Sequence, residues 1–397
     1  MNRNTETDNR PKTLPKGAFV AMGFLTAYLL VFTAVSDDLT ALLAVVLSLA
    51  FTFIFLRVRA GVLLAVIYAV LWFGLGSLQA TAELVSTTLI IGFGAMAIMS
   101  LKPIVSILLG VASFGVALIL SGDLMASLYM LLPLPSAILM AVLTARRVSR
   151  NTVICAVAGI MLAANAVPLV IYLYQTYGGL GGDTLLTFIN DLHAGIVNLL
   201  TETYDLVIAA IPEAAGQTQD IRSLFPVVAE MFIGFLPGGI LVSVAVPAYL
   251  ANTVAAMVCR ASGFDRSSAP AAKYFSMSKV SAVVFFISLI VTSGVMFFAF
   301  FGSFFGSSVS PLTMYALIIA GNVQILLIPG FSLTGIAVGI HFIRQNRGCA
   351  TFLMIAVLLL IGLYASALVL YPIALTGAFH VFRSPALSDV ADNQSNS

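Results

Sequence analysis

Residues 152–174 read TVICAVAGIMLAANAVPLVIYLY and contain no Asp, Glu, Lys or Arg. A helix needs about 20 mostly apolar residues to cross the roughly 30 Å hydrocarbon core of a bilayer, and this stretch is long enough. Apolar and polar residues do not alternate along it, as they would in a strand of a membrane β-barrel. The stretch therefore predicts a transmembrane α-helix, in which every backbone N–H and C=O pairs within its own segment.

The rest of the chain has a similar composition. Of the 397 residues, 60% are hydrophobic and only 9% are charged, whereas a typical soluble domain carries about 25% charged residues. Comparable apolar runs predict an all-α transmembrane bundle of about 11 spans, within a range of roughly 9 to 12. The predicted spans are Gly17–Val35, Leu39–Leu56, Ala60–Gln79, Leu84–Leu101, Ile104–Ser121, Leu124–Thr144, Thr152–Tyr174, Val227–Val258, Val280–Phe301, Leu312–Ile343 and Cys349–Pro372.

Two of these runs, the eighth and the tenth, are too long for a single upright helix. Pro237-Gly238-Gly239 interrupts the eighth, and Pro329-Gly330 interrupts the tenth. Each is expected to be broken at its Pro/Gly residues, by a kink, a tilt or a split into two half-helices. In the tenth run Gly335 and Gly339 form a GxxxG pair, which predicts close packing against another helix.

The basic residues indicate the orientation in the membrane. If the N-terminus lies in the cytoplasm, all Lys and Arg except Arg222 and Arg383 fall in cytoplasmic segments, and the acidic loop 183–220 lies outside. This distribution follows the positive-inside rule. The cations are scattered in short clusters between spans, so no basic stripe for nucleic acid is predicted.

The spans and loops predict a division into five regions. The loop after the seventh span contains Leu185, Ile189, Leu192 and Ile196 at helical spacing, which predicts an amphipathic helix. It is expected either to lie along the outer surface and cover the bundle or to act as a gating lid. The regions are a cytoplasmic N-terminus (1–16), a bundle of about seven spans (17–174), an extracytoplasmic loop (175–225), a C-terminal bundle (226–383) and a disordered tail (384–397).

No enzyme motif is present in the sequence. The chain lacks the patterns GxxxxGK[ST], HExxH and GxSxG. Cys155, Cys259 and Cys349 are isolated and form no CxxC or Cys/His pattern. We therefore expect no catalytic residue, no cofactor and no metal site, and a protein that is not an enzyme.

Polar groups at membrane depth are the candidates for binding a solute, since their burial is costly. Glu230 is either a substrate-facing carboxylate or an acid that favours the N-terminal end of its helix. The amides of the other candidates either hydrogen-bond neighbouring helices or face a small solute. The substrate-binding candidates are Asn165, Glu230, Asn252, Asn322 and Gln324. Asn322 and Gln324 project about 200° apart on a helix, so they cannot both face one neighbour unless the helix is unwound.

The C-terminal half resembles the YybS-like family of bacterial multi-spanning membrane proteins, whose function is undefined. The resemblance rests on FLPGGILVSVAVPAYLANTVAAMVCRASGF and on the closing GAFHVFR. The family positions correspond to Pro237, Asn252, Arg260 and Gly263, and to Gly377 and Arg383 near the end; Thr253 and His380 depart from the family pattern. The N-terminal spans are similar in character to the six-span substrate-binding components of energy-coupling-factor transporters. The resemblance implies a protein of the bacterial inner membrane.

Two functional hypotheses follow. The first is a transporter-like protein that binds or moves a small solute, and the alternative is a non-transporting scaffold for envelope or cell-division partners. An intramembrane enzyme would need clustered catalytic groups, which the sequence lacks. The expected partners are the lipid bilayer, a small-molecule solute and other membrane proteins, without nucleic acid.

Overall fold

The computed structural model describes residues 78–100, 132–210, 221–261, 277–304, 311–345 and 366–383, with a few positions between 108 and 122. These residues are helical apart from short turns, and no strand occurs among them. The all-α class is therefore confirmed for the described part of the chain. Its helices are α1 (Leu78–Ser100), α2 (Pro133–Ala145), α3 (Arg150–Tyr177), α4 (Gly182–Ala210), α5 (Phe225–Ala261), α6 (Lys279–Phe304), α7 (Pro311–Gln345) and α8 (Ser366–Arg383).

Several of these helices can cross a membrane. The long apolar segments are Arg150–Tyr177, Phe225–Ala256, Lys279–Phe297 and Leu312–Ile336, and they match the seventh to tenth predicted spans. Shorter apolar helices occupy Thr87–Met99, Pro133–Ala145 and Tyr371–Phe382. The total of about 11 spans stays a prediction, because much of the chain that would supply the others lies outside the described residues. The 1–16 segment, the first two predicted spans and the 384–397 tail lie outside the described residues. So do nearly all of the third span, most of the fifth and eleventh, and part of the sixth.

The expected breaks at Pro and Gly need correction. Both α5 and α7 are continuous helices across Pro237-Gly238-Gly239 and Pro329-Gly330, so a split into half-helices is wrong. The last helix also continues beyond the predicted end at Pro372, as far as Arg383. A proline inside a membrane helix is tolerated when neighbouring helices or side chains pair with the backbone groups that it frees.

The chain divides into two compact units, and both are discontinuous in sequence. Unit 1 comprises residues 1–164, 243–282 and 328–397, and unit 2 comprises residues 165–242 and 283–327. Helices α3, α5, α6 and α7 therefore contribute residues to both units. The five predicted regions divide the sequence at its loops, whereas the two units are defined by contacts in space. The division into five regions stays a prediction.

The core of unit 1 is built mainly from α1, α2, α3 and α5. Helix α1 packs against α2, and the cluster includes the fully buried Leu89, Phe93 and Met140. At Gly92 a Cβ atom would lie 3.1 Å from the Ala251 carbonyl oxygen. Glycine thus brings the backbones of α1 and α5 close together within this core.

A second close approach in unit 1 joins α7 and α8, and it revises the expectation for the GxxxG pair. A Cβ on Gly335 would lie 2.0 Å from the Ile373 carbonyl oxygen, and one on Gly377 would lie 2.1 Å from the Phe331 oxygen. A Cβ on Gly339, in contrast, would meet no atom of the described chain within 4 Å. Of the predicted pair, only Gly335 makes a close helix contact there, and its partner glycine is on α8.

In unit 2 the connection from α3 to α4 depends on Gly178. Gly178 has φ of 76°, a left-handed conformation that glycine adopts at little cost, and its N–H donates to the Tyr174 carbonyl over 3.1 Å. Helix α3 therefore ends at Tyr177, whose hydroxyl donates to Asp191 Oδ2 of α4 at 2.9 Å. None of the residues of α4 is buried. A helix is thus present where the amphipathic pattern predicts one, and its position along an outer surface stays a prediction.

Candidate functional site

Two of the five predicted binding residues are exposed. Asn165 lies on α3 and Glu230 in the second turn of α5, and both belong to unit 2. Neither side chain makes a hydrogen bond or an ion pair with the described part of the chain. No hydrogen bond among the described residues joins either of them to the amides described below.

Asn322 of α7 binds the backbone of α5 within unit 2. Its Nδ2 donates to the Gly234 carbonyl at 2.8 Å and to the Ile318 carbonyl of its own helix at 2.9 Å. Its Oδ1 accepts from the Gly238 N–H at 2.6 Å. Both polar atoms of the amide are therefore paired, and the amide joins α5 to α7.

The position of this contact follows from the sequence around Pro237. The Gly234 carbonyl and the Gly238 N–H are four residues apart, and in a regular helix such groups bond to each other. Pro237 lies between them and disturbs the ladder, because its ring clashes with the carbonyl four residues before it. The Asn322 amide presents an acceptor and a donor that match these two backbone groups. This pairing lies beside Pro237, whereas the carbonyl that the proline itself leaves without an N–H partner is that of Ile233.

Glycines create the space for the Asn322 amide. A Cβ on Gly238 would lie 2.5 Å from Asn322 Oδ1, and one on Gly234 would lie 2.7 Å from a side-chain carbon of Ile318. On the facing helix, a Cβ on Gly321 would lie only 2.4 Å from the Phe235 ring. Small residues at these positions allow two helices in a membrane to approach closely.

Gln324 is directed to a different helix from Asn322. Its Nε2 donates to the Ser288 carbonyl at 3.0 Å and to Thr292 Oγ1 at 2.7 Å, both on α6. Since residues two apart point about 200° apart on a helix, one continuous α7 presents the two amides to two different neighbours. Within unit 2 both amides thus hydrogen-bond neighbouring helices, and a role in binding a solute stays a prediction for both.

Asn252 has a different environment, inside unit 1. Its side chain is only 7% exposed, and its Oδ1 atom is buried without a hydrogen-bond partner. Thr88 Oγ1, Ser136 Oγ and Ser332 Oγ are also buried and unpaired, on residues that are at most 2% exposed. These four side chains come from α5, α1, α2 and α7, and all belong to unit 1. We name them the unpaired polar set.

Two members of the unpaired polar set flank the same helix contact. Thr88 lies one turn before Gly92 on α1, and Gly92 approaches the Ala251 carbonyl, next to Asn252. An unpaired polar group buried away from water costs about 1–3 kcal/mol. Native proteins satisfy most such groups with protein atoms, water or a ligand. These four atoms of unit 1 therefore lack a hydrogen-bond partner in the protein, and a water or ligand molecule beside any one of them would supply it.

The chemistry of the interior limits what it can accommodate. The buried polar side chains in the described part of the chain are Ser, Thr, Asn and Gln, and no Asp, Glu, Lys or Arg is among them. Hydroxyl groups donate and accept, whereas Asn252 Oδ1 only accepts. A charged molecule would lose its hydration there without a described buried counter-charge. The described buried residues thus offer no charge that would compensate a buried ion.

The sequence gives no reason to select the hydroxyls of the unpaired polar set as binding groups. They belong to Thr88, Ser136 and Ser332. A hydroxyl in a helix can donate to the carbonyl four residues earlier, as Thr253 does to Tyr249 at 2.9 Å and Thr334 does to Gly330 at 3.2 Å. Paired and unpaired hydroxyls look identical in the sequence. No signal in the sequence would therefore have selected these three hydroxyls.

Comparison with protein families gives one match, which covers most of the chain. Residues 97–379 match the family described as Predicted membrane protein (DUF2232). The chain belongs to this family. The description agrees with the resemblance to a YybS-like membrane family of unknown function, and all five predicted binding residues lie within the match. No curated protein and no solved structure matches the chain.

Proposed function

We propose that this membrane protein binds a small, uncharged polar solute inside its helix bundle and moves it across the bilayer. The observation that carries the proposal is the unpaired polar set, Asn252, Thr88, Ser136 and Ser332, on four helices of unit 1. Inside a membrane protein there is little water to satisfy such atoms. A solute with hydroxyl or amide groups would form the missing hydrogen bonds.

The sequence supports a transport role in two further ways. Helix α5, which carries Asn252, is one of the helices long and apolar enough to cross a membrane. The likeness of the N-terminal spans to substrate-binding components of energy-coupling-factor transporters also favours solute binding, by analogy of fold. We place the protein, by the same proposal, in the bacterial inner membrane with about 11 spans and a cytoplasmic N-terminus, acting as a non-enzymatic carrier.

The test compares two Asn→Leu variants of the full-length protein. Asn252→Leu removes the unpaired acceptor, whereas Asn165→Leu changes an exposed amide and serves as the matched control. Each protein is purified in a neutral detergent, and the small molecules that remain bound are identified by mass spectrometry. We expect a polar, uncharged compound to be enriched with wild type and Asn165→Leu and to be lost from Asn252→Leu.

A second measurement tests transport directly. The compound found with wild type is loaded outside proteoliposomes, and its uptake is measured for wild type and for Asn252→Leu. Uptake by the wild type alone is the expected result. If wild type and Asn252→Leu retain the same compounds and show equal uptake, Asn252 does not bind a solute and the proposal is wrong.

A scaffold for envelope or cell-division partners is the second candidate, and α4 is the observation that favours it. This helix has no buried residue, and Leu186, Leu199 and Leu206 are each more than 60% exposed. An apolar surface of this kind is typical of a contact site for protein or membrane. Photo-cross-linking from Leu199 and Leu206 in cells distinguishes the two functions, because a scaffold would give discrete protein adducts there.

A further inference from the structure

The turn between α2 and α3 carries the densest group of positive charge in the described part of the chain. Residues 146–150 read RRVSR, and we call this segment the arginine turn. No Asp or Glu occurs anywhere in residues 133–182. No carboxylate pairs with Arg146, Arg147 or Arg150 among the described residues.

The backbone of the arginine turn has a defined conformation. The Arg147 N–H donates to the Thr144 carbonyl and the Val148 N–H to the Leu143 carbonyl, both at 3.1 Å. These two bonds form a Schellman motif, in which the residue after the helix end is left-handed and is usually glycine. Here that residue is Arg147, with φ of 55°. At the end of α3 the left-handed residue is a glycine, Gly178, with φ of 76°.

An arginine at this position has a cost that glycine would avoid. A residue with a Cβ in the left-handed region is less stable there than glycine. Backbone strain retained at a charged residue is typical of sites where the side chain is needed. The conformation therefore indicates a role for the Arg147 guanidinium outside the turn itself.

The other two arginines also have unused binding capacity. Arg146 is exposed. Arg150 is half-buried, and its guanidinium carbon lies 4.7 Å from the centre of the Tyr249 ring. Stacking on an aromatic ring holds a guanidinium in one orientation. Each of these guanidinium groups can donate hydrogen bonds to phosphate oxygens.

An exposed apolar stripe leads to the arginine turn. Ile138 is 47% exposed and Val142 is 41% exposed, and they lie one turn apart on α2. Arg146 follows after four more residues, so it continues the same side of the helix. The stripe and the arginines together provide an apolar surface that ends in positive charge.

We infer that the arginine turn binds the phosphate of an anionic phospholipid, whose acyl chain lies along Ile138 and Val142. Guanidinium groups complement the negative headgroup, and basic groups at the ends of membrane helices attract anionic lipids. A free phosphate ion would use the same arginines but would gain nothing from the apolar stripe. The inference is independent of the solute site, because it involves none of the unpaired polar set.

The test measures thermal stability of the full-length protein in a neutral detergent as dioleoyl-phosphatidylglycerol is added. We expect the wild-type melting temperature to rise with this lipid and to respond much less to phosphatidylcholine. Each arginine near an anionic surface corresponds to about 5-fold in affinity. The double variant Arg146→Gln/Arg147→Gly should therefore need about 25-fold more phosphatidylglycerol for the same shift.

Two control variants keep the folding of the turn separate from lipid binding. Arg147→Gly alone places glycine where the conformation favours it, so its melting temperature without lipid should equal or exceed that of wild type. Arg222→Gln removes an arginine of unit 2 that is paired with Asp205, and it should keep the full lipid response. Val142→Ser should weaken the response to lipid because it shortens the apolar stripe.

Three results would overturn the inference. The first is an unchanged phosphatidylglycerol response in the double variant. The second is an equal loss in Arg222→Gln, which would show an effect of net charge alone. The third is the same stabilisation by inorganic phosphate at the same concentration, which would mean that the turn binds an ion and not a lipid.

Discussion

Asn252 in unit 1 and Asn322 in unit 2 are the same residue type within long apolar helices, yet their surroundings are opposite. Asn322 pairs both of its polar atoms with backbone groups of Gly234, Gly238 and Ile318. Asn252 is more deeply buried, and its Oδ1 has no partner. The Asn322 amide therefore joins two helices, whereas the Asn252 oxygen makes no hydrogen bond within the protein. The same amide in two apolar helices can thus be fully hydrogen-bonded or partly unpaired, and only the surrounding structure decides which.

The largest effect is expected from Gly377→Ala in unit 1. The new Cβ would lie 2.1 Å from the Phe331 carbonyl oxygen, so α7 and α8 would have to separate. Overpacking of this kind costs about 3 kcal/mol of the free energy of unfolding, which is measured by thermal unfolding in detergent. Gly339→Ala is the control, because its Cβ meets no described atom within 4 Å and alanine favours a helix. A melting temperature for Gly377→Ala equal to that of wild type would contradict this close contact.

Asn322→Leu is expected to be the next largest change, and it tests the comparison in unit 2. Leucine cannot accept from the Gly238 N–H or donate to the Gly234 carbonyl, so both groups beside Pro237 lose a partner. The loss should lower the free energy of unfolding by about 2 kcal/mol. The same thermal unfolding assay measures it, and the response to any bound solute should remain. Loss of solute binding at unchanged stability would instead make Asn322 a ligand residue.

Asn252→Leu in unit 1 should raise the free energy of unfolding, whereas Asn322→Leu should lower it. Replacing a buried unpaired acceptor with an apolar side chain removes its desolvation cost, so the solute-free protein should gain up to about 1 kcal/mol. Solute binding should be lost at the same time, as stability and function often oppose each other at binding sites. A destabilisation as large as that of Asn322→Leu would show that Asn252 is paired, and the contrast between the two units would fail.

Asn165→Leu should have the smallest effect. Its amide is exposed on an apolar helix and makes no hydrogen bond with the described chain, so leucine should leave the melting temperature within experimental error. A clear drop in melting temperature would reveal a contact for Asn165 beyond the described residues.

Much of the architecture was available from the sequence, because the signal for a membrane helix is local. A run of about 20 apolar residues forms a helix in lipid whatever its neighbours are, and the predicted seventh to tenth spans are present as helices α3, α5, α6 and α7. The 200° angle between residues two apart left two options for Asn322 and Gln324, different neighbours or an unwound helix, and the continuous α7 has the first. The match of residues 97–379 then confirmed that the chain belongs to a family of predicted membrane proteins.

Tertiary structure alone decided which polar and small residues matter. The Gly238 N–H beside Pro237 donates to Asn322, which lies 84 residues away in sequence, so this partner cannot be found from the local sequence. The hydroxyls of Thr88 and Thr253 have the same local options, and only the packing around them determines which one remains unpaired. Gly335 and Gly339 are likewise equivalent in sequence, yet only Gly335 meets another helix in the described chain. Helix formation depends on composition along the chain, whereas hydrogen-bond satisfaction and close packing depend on atoms brought together from distant positions.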